Sequence, residues 1–226
     1  MTETYYLAVD LGATSGRTLL AAFDGSRITM REISRFRNPM IPVFDNLHWN
    51  LPGLYHEIIL ALRKVAQEGI ELQSIGIDTW GCDFAFFGKD GRLLGLPYCY
   101  RDSHTEGAQE KFFRKMSATE LYGRTGIQFM DFNSVFQLDT MKRDGDAALE
   151  SADKILFMPD ALAYMLTGEA VCEYTVASTS QMLDPATGNL DKEILKAIGI
   201  PREKFGRMVH PGHTVGKLLP KVREFT

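Results

Sequence analysis

Residues Tyr5–Phe23 read YYLAVDLGATSGRTLLAAF, and this stretch decides the fold. An apolar run ends at Asp10, a seven-residue loop of mostly small and hydroxylated residues follows, and a second apolar run leaves the loop. Both runs are short, rich in strand-forming residues and bounded by glycine, so they predict a strand, a loop and a second strand. Gly12 and Gly16 are expected to adopt positive φ angles and to let the backbone approach a ligand closely.

The loop of this predicted hairpin has the chemistry of a phosphate site. Its backbone N–H groups and the hydroxyls of Thr14 and Ser15 can converge on phosphate oxygens. Asp10 is a candidate to hold the water shell of Mg²⁺, which takes few carboxylates and keeps several waters. The loop is not a Walker A motif, because no Lys-Ser/Thr pair follows it, and it is not a Rossmann fingerprint, because it leads into a strand. The alternative is a plain hairpin with a polar turn.

Composition places the chain among ordinary globular proteins. Its 226 residues are 45% hydrophobic and 24% charged with a net charge of −4, which gives no electrostatic argument for nucleic acid or membrane partners. No window is apolar enough for a membrane span, and residues 1–4 lack the basic region of a secretory signal. The widely spaced Cys82, Cys99 and Cys172 are expected to be free thiols in a cytoplasmic protein.

The order of the predicted elements indicates an α/β fold with a mixed sheet flanked by helices. A third strand is predicted at 27–36, a loop with an exposed His48-Trp49 pair at 38–50, a helix capped by Asn50 and ended by Gly69, and buried strands at 74–78 and 84–87. Later segments predict helices at 108–116, 118–122, 135–141, 159–166 and 194–198, a strand at 154–158 and the start of a strand at 215–222.

Three aspartates follow predicted strands and are candidates for chemistry. Asp10 and Asp78 end their strands, and Asp83 lies five residues beyond Asp78. Ligands of α/β sheets gather beyond the carboxyl ends of strands. Phosphoryl transfer needs a metal, donors to the phosphates and an oriented nucleophile, which such residues can supply, although aspartate also serves simply as a cap or turn residue. The chain has no Ser-His-Asp or Cys-His context typical of acyl transfer.

Several segments, taken together, resemble the FGGY family of carbohydrate kinases. They cover nearly the whole chain from Tyr6 to Gly216 and occur in the order of the family: VDLGATSGR (9–17), SIGIDTWGCDF (74–84), GLPYCYRDS (95–103), GRTGIQFMDFNSVFQL (123–138), MPDALAYMLTG (158–168), EYTVASTSQMLD (173–184) and HPGHTVG (210–216). The DTWGCD and EYTVASTSQ segments separate the chain from the glycerol and xylulose kinases of that family. The resemblance implies an actin-like ATPase (ribonuclease H-like) domain with β-β-β-α-β-α order.

The resemblance also implies the roles of individual residues. On the nucleotide side, Asp10 matches an aspartate that helps to place Mg²⁺. The residues matched to the ATP-binding loop are Ala13, Thr14, Ser15, Gly16 and Arg17, with Gly12 beside them. The residues matched to the sugar site are Gly81, whose backbone meets the ketose, its neighbours Trp80 and Asp83, and Asp102.

The sequence departs from the family pattern at two points. Tyrosine stands at position 100, where the family usually has tryptophan. The family's catalytic base lies in an HDT motif that does not occur in this sequence. The chain is therefore expected to be the N-terminal domain of a kinase, with the catalytic base and a C-terminal adenosine-binding domain beyond Thr226. Residues 1–226 alone should then be nearly inactive.

The reaction implied by the resemblance is transfer of the ATP γ-phosphate to O1 of L-rhamnulose, giving L-rhamnulose 1-phosphate and ADP in L-rhamnose catabolism. Expected partners are the sugar, MgATP and the second domain. A fuculose or xylulose kinase, and a non-catalytic actin-like binding module that ends at Thr226, are the alternatives.

Overall fold

The computed structural model describes residues 3–226 and is organised around a four-stranded mixed sheet. Its strands are β1 (Thr4–Leu11), β2 (Ser15–Phe23), β3 (Ile28–Arg37) and β6 (Leu72–Asp78). The order across the sheet is β3-β2-β1-β6, with an antiparallel meander of the first three strands and β6 parallel to β1. Between β3 and β6 lie β4 (Ile41–Val43), β5 (Asn46–His48) and the crossover helix α1 (Leu51–Gln67). This is the predicted order, with one short hairpin added.

Helix α1 forms where the sequence predicts it. The Asn50 side chain accepts a hydrogen bond from the Gly53 N–H at 3.0 Å, and a proline lies in the first turn. Its apolar face packs on one side of the sheet in a cluster that includes Leu7, Val9 and Leu11. Full burial of each such aliphatic side chain stabilises the fold by about 1.5–3 kcal/mol. Because strand residues alternate, Asp10 lies on the other side of the sheet.

The rest of the chain contains β7 (Phe84–Phe87), α2 (Ala108–Phe112), α3 (Ala118–Thr125), α4 (Ser134–Asp144), α5 (Ala147–Ser151), β8 (Lys154–Phe157), α6 (Met158–Thr167), β9 (Val171–Glu173), α7 (Tyr174–Ser178), β10 (Leu183–Asp184), β11 (Asn189–Leu190), α8 (Lys192–Ile198), β12 (Arg207–Val209) and α9 (Pro220–Phe225). Most of these elements form a second apolar cluster next to the first, whereas α6 and α9 bury their apolar residues in the first cluster. Single 3₁₀ turns cover Ser103–Thr105 and Arg202–Lys204.

The antiparallel pair β7–β8 separates the two clusters. Phe84 and Phe86 contribute to the cluster of the second half, whereas Ala85 and Phe87 contribute to the cluster beneath the sheet. Alternate side chains of β7 thus pack into two different apolar clusters. Because both faces of the strand are buried, residues 84–87 are apolar without interruption.

Three sequence predictions are corrected. Residues 38–50 are not simply a loop, since they contain the hairpin β4–β5, and Trp49 is fully buried instead of exposed. Residues 215–222 do not begin a strand, because Pro220 opens the helix α9. The helix at Ala108 is one turn shorter than predicted. In the described part of the chain, no helix combines the length and the apolarity that crossing a membrane requires.

Candidate functional site

Two candidate aspartates lie side by side at one end of the sheet. In the parallel pair β1–β6, Asp10 is the register partner of Asp78, and in the antiparallel pair β1–β2 it is the partner of Arg17. The Arg17 Nε donates to Asp10 Oδ2 at 2.7 Å, and both side chains are partly exposed, at 44% and 41%. The loop after β1 and the segment after β6 therefore leave the sheet at the same edge, where ligands of α/β folds bind.

The loop after β1 is shorter than the sequence predicts. Strand pairing continues to Leu11 and Gly16, and only Gly12–Thr14 connect β1 and β2. Asn38 holds this loop: its backbone N–H donates to the Thr14 carbonyl at 3.0 Å, and its side-chain amide donates to the Gly12 carbonyl at 3.0 Å. Asn38 was missed by sequence reasoning, because nothing in its local context marks a contact 24 residues away.

The residues matched to the ATP-binding loop do not all face solvent. Thr14 and Arg17 are exposed, whereas Ala13 and Ser15 are half-buried and Gly16 is buried. The Ala13 methyl group packs against the apolar cluster beneath the sheet, so this side chain serves the core of the domain. The expected role of Ala13 in nucleotide binding stays a prediction, and it would be carried by the backbone of this residue.

The predicted reason for the two glycines is wrong. Neither Gly12 nor Gly16 adopts a positive φ. A Cβ atom on Gly16 would lie 2.4 Å from the ring of Phe36 and 2.8 Å from a methyl carbon of Leu11, so a larger residue would force these side chains to move. At Gly12 a Cβ atom would lie 3.2 Å from the Ser15 carbonyl oxygen. Close approach of neighbouring atoms, and not backbone conformation, accounts for Gly16, and at Gly12 the room for a side chain is reduced by the Ser15 carbonyl.

The segment after β6 is held by a loop that is nearly 100 residues away in sequence. A Cβ atom on Gly81 would lie 2.7–2.9 Å from the side-chain atoms of Thr179. The next residue, Cys82, has a φ of 71°, and its N–H donates to Thr179 Oγ1 at 2.9 Å. A positive φ in a residue with a side chain costs on the order of 1 kcal/mol or more, and the surrounding contacts maintain it. The backbone at Gly81 is therefore tightly constrained.

Asp83 lies at the centre of a buried polar network. Its Oδ2 accepts from the indole N–H groups of Trp49 (2.6 Å) and Trp80 (2.9 Å) and from the Tyr100 N–H (3.0 Å), and its Oδ1 accepts from the Gln137 amide (3.0 Å). The residue is 0% exposed. Burial raises the pKa of Asp83 to about 6, and these four donors oppose the rise.

Asp102 is also buried and bonded within the protein. Its carboxylate accepts from the Leu47 N–H at 2.6 Å, the Asn46 amide at 3.2 Å, and both the backbone N–H and the ring Nδ1 of His104, at 2.8 and 2.9 Å. Burial opposes its ionisation, but the donors of Leu47, His104 and Asn46 prevail and lower the pKa of Asp102. Asp102 thus fastens the hairpin β4–β5 to the segment around Tyr100.

Buried polar side chains join the remaining segments to this centre. The Asn133 amide donates to Gln181 Oε1 at 2.8 Å, the Ser134 hydroxyl donates to the Cys82 carbonyl, and the Val135 N–H donates to the Ser180 carbonyl at 3.1 Å. Sequence reasoning did not single out these residues. The signal in the sequence was a run of polar residues inside otherwise apolar segments. Its role in hydrogen bonding is visible only when the segments are in contact.

Known proteins match the chain over nearly its full length. The family model for the N-terminal domain of the FGGY family of carbohydrate kinases matches residues 5–226. A rhamnulokinase of Bacteroides thetaiotaomicron is 54% identical over 221 residues, which are 98% of this chain and 46% of that protein. A rhamnulokinase of Mannheimia succiniciproducens is 39% identical over 96% of this chain and 45% of its own length. The chain spans about half the length of the curated relatives that it matches.

Solved structures agree with the fold. Gluconate kinase from Lactobacillus acidophilus superposes with a TM-score of 0.87 at 17% identity, over 99% of this chain and 45% of that one. Plasmodium falciparum glycerol kinase with ADP gives a TM-score of 0.84 at 14% identity, over 99% and 46%. At such identities the likeness shows the fold alone, and it confirms the predicted actin-like α/β architecture. With the family model spanning residues 5–226 and relatives of 54% and 39% identity, this chain belongs to the FGGY family of carbohydrate kinases.

Proposed function

We propose that the chain is the N-terminal domain of a kinase that transfers the γ-phosphate of ATP to O1 of L-rhamnulose, giving L-rhamnulose 1-phosphate and ADP in L-rhamnose catabolism. The observation that carries the proposal is the register pair Asp10 and Asp78, whose strands lead directly into the phosphate loop and the sugar segment. Donor and acceptor then meet at one sheet edge, which is the positioning that phosphoryl transfer requires. The 54% and 39% identity to proteins named rhamnulokinase supports the choice of ketose.

In this proposal the nucleotide phosphates bind at residues 12–17. Thr14 and Arg17 offer exposed side chains there, and Ala13 offers its backbone N–H. Arg17 can exchange its ion pair with Asp10 for a phosphate oxygen, since guanidinium groups bind phosphate as readily as carboxylate.

The Asp10 carboxylate fits Mg²⁺, because it is 41% exposed and its bond to Arg17 uses only Oδ2. Mg²⁺ would neutralise phosphate charge, with water and phosphate oxygens as its other ligands. In residues 3–226 there is no group of three or more His, Cys, Asp or Glu side chains arranged for a metal. A single carboxylate is in keeping with an ion that arrives with the nucleotide.

The ketose binds beside Gly81 and Trp80. The backbone at Gly81 is held by Thr179 and is therefore ready to receive a sugar hydroxyl without rearrangement. Asp102 serves the same site by fastening the hairpin β4–β5 next to Tyr100.

The catalytic base and the adenosine-binding domain belong to a part of the protein outside residues 1–226. Both oxygens of Asp83 are bonded to protein donors, and the residue is fully buried, so it is poorly placed to take a proton from a sugar hydroxyl. Residues 1–226 alone should bind ligands without turnover. The three buried free thiols and the dependence on ATP are in keeping with a cytoplasmic enzyme.

Calorimetric titration of the chain with L-rhamnulose and with MgADP tests this proposal, with glycerol and xylulose as comparison ligands. Replacing Asp10 by asparagine should weaken MgADP binding by about tenfold or more, which corresponds to about 1.4 kcal/mol, and should leave L-rhamnulose binding unchanged. Asp24→Asn is the matched control, since Asp24 accepts from Ser26 and Arg27 in the turn between β2 and β3. Selective binding of xylulose would contradict the substrate, and equal MgADP affinity of Asp10→Asn and the parent chain would contradict the role of Asp10.

A further inference from the structure

The chain has two tryptophans, and both donate their indole N–H to the same carboxylate oxygen. The Nε1 atoms of Trp49 and Trp80 lie 2.6 and 2.9 Å from Asp83 Oδ2. Trp49 precedes Asp83 by 34 residues in the sequence. Their ring centroids are 4.2 Å apart, with an interplanar angle of 43°. One buried charge therefore fixes the orientation of two closely packed indoles, and charge-assisted bonds of this kind are stronger than neutral ones.

The three aromatic side chains at this point form an inner and an outer layer. Trp49 is 0% exposed, whereas Trp80 and Tyr100 keep partly exposed surfaces. Tyr100 lies 6.2 Å from Trp49 between ring centroids, and its backbone N–H donates to the same Asp83 oxygen. Because the only polar atom of the Trp80 side chain is turned inward to Asp83, this side chain can offer a ligand only apolar ring surface.

Asp83 itself is shielded from any ligand. Its four hydrogen bonds occupy both carboxylate oxygens, and no part of the residue is exposed. A role in sugar binding must therefore act through the side chains that it holds. The Trp80 ring is the best placed of these, since it directly precedes the constrained Gly81.

We propose that Asp83 is a positioning residue that locks the Trp80 ring, over the buried Trp49, as a fixed apolar platform for the ketose. This inference rests on the proposed function for its ligand. Sugar sites pair polar contacts with aromatic surfaces that must be held in place before binding. Releasing the lock should therefore reduce sugar affinity more than it reduces nucleotide affinity, because a mobile ring must be ordered when the sugar binds.

The test compares Asp83→Asn with Asp139→Asn. Asparagine keeps the size of the side chain but removes the charge and replaces one acceptor oxygen by an NH₂ group, which would face the Gln137 amide or the indole donors. Asp139 is the matched control, because it is an equally buried aspartate (0% exposed) whose partners are Lys115 and Arg143 and not an indole. Circular dichroism measures the coupling of the two indoles, and calorimetry measures binding of L-rhamnulose and MgADP.

The expected result for Asp83→Asn is loss of the indole coupling signal and about tenfold or greater weakening of L-rhamnulose binding, with MgADP affinity unchanged. Asp139→Asn should keep both the signal and the affinity. Asp83→Asn with parental sugar affinity, or with the coupling signal intact, would overturn the proposal. If the parent chain shows the coupling but binds xylulose and not L-rhamnulose, the proposed substrate is wrong. The effect of Asp83→Asn on xylulose affinity then decides whether Asp83 positions the Trp80 ring.

A measurement on the parent chain covers the case in which Asp83→Asn does not fold. A ¹⁵N spectrum of the parent chain contains two indole signals, and Trp80→Phe assigns them. Both indole N–H groups should exchange slowly with solvent, and L-rhamnulose should shift the Trp80 signal more than the Trp49 signal. Fast exchange at Trp80, or a sugar that leaves its signal unmoved, would contradict the platform.

Discussion

At the scale of single residues, the backbone of the candidate sugar segment is fixed by a distant side chain. Thr179 occupies the space that a Cβ atom on Gly81 would need and accepts the N–H of Cys82, which is held at a φ of 71°. A strained position of this kind persists only when several contacts determine it together. Gly81 is therefore glycine for a steric reason that also leaves its backbone open to a ligand.

Replacing Gly81 by alanine should destabilise the protein by about 1–3 kcal/mol and abolish L-rhamnulose binding, because the new methyl group overpacks against Thr179. Guanidinium unfolding and calorimetry measure the two effects. Gly76→Ala, in β6, is the matched control, since a Cβ atom there meets nothing within 4 Å. A Gly81→Ala variant as stable as the parent chain would mean that Thr179 moves aside readily.

At the scale of elements, the opening hairpin owes its tight loop to packing between β2 and β3. Gly16 faces the ring of Phe36, its register partner on β3, and the same pairing brings Asn38 under the loop. A strand glycine that accommodates an aromatic residue on the neighbouring strand is a common device for close approach. The shape of the loop at residues 12–14 is thus set by contacts with β3 and with Asn38, which follows it.

Gly16→Ala should lower stability by about 1–3 kcal/mol through the clash with Phe36, and Gly16→Ala combined with Phe36→Leu should cost less than the sum of the two single changes. Chemical unfolding of the four proteins of this double-mutant cycle gives the coupling, which we expect at about 0.5 kcal/mol or more. MgADP binding should recover with stability in the double variant. A stable double variant that no longer binds MgADP would show that Gly16 acts on the nucleotide directly.

At the scale of the whole molecule, a buried carboxyl group in the second half links stability to pH. Asp160 on α6 is 3% exposed and accepts one hydrogen bond, from the Glu173 N–H at 3.1 Å. Burial, with the negative charge of Glu173 nearby, raises the pKa of Asp160 to about 7. The Glu173 Oε1 atom is itself buried and has no hydrogen-bond partner among the described residues. Ionisation of Asp160 therefore opposes folding.

A raised folded-state pKa means that the folded protein binds the proton more tightly than the unfolded chain. The stability contributed by Asp160 is then fully present below about pH 4 and is lost as the pH rises through about 7. The total loss is at most about 4 kcal/mol. Asp160→Asn should therefore gain stability relative to the parent chain between about pH 5 and pH 8. Denaturant unfolding at the two pH values measures this change.

Asp24→Asn provides a control for the same experiment, because Asp24 titrates below this pH range and its variant should keep the pH dependence of the parent chain between about pH 5 and pH 8. The backbone N–H groups of Arg27 and Ser26 lower the pKa of Asp24, so its contribution is lost as the pH falls. Burial also raises the pKa of Asp83 to about 6, so the Asp160→Asn variant should still lose some stability as the pH rises. Equal pH dependence of Asp160→Asn and the parent chain would contradict the assignment to Asp160.

Local patterns in the sequence were sufficient to predict most of the elements. The two apolar runs around Asp10 predicted β1 and β2, and Asn50, Pro52 and Gly69 predicted the bounds of α1, because caps and breakers act on their immediate neighbours. The order of these elements predicted the mixed sheet. Errors arose where a distant contact prevails over a local signal, as at Trp49, which the indole bond to Asp83 draws into the core.

The sequence alone was enough to predict the four strands of the main sheet, the pair β7 and β8, the crossover helix, the family and the segments that form the candidate site. The tertiary structure alone decided why those segments contain their particular residues. Gly16 lies against Phe36, Gly81 lies against Thr179, and Asp83 accepts the indole N–H of Trp49. Each of these partners is too distant in sequence for a local pattern to reveal the contact. Steric exclusion and hydrogen-bond satisfaction depend on which atoms meet in space, and only the folded chain brings those atoms together.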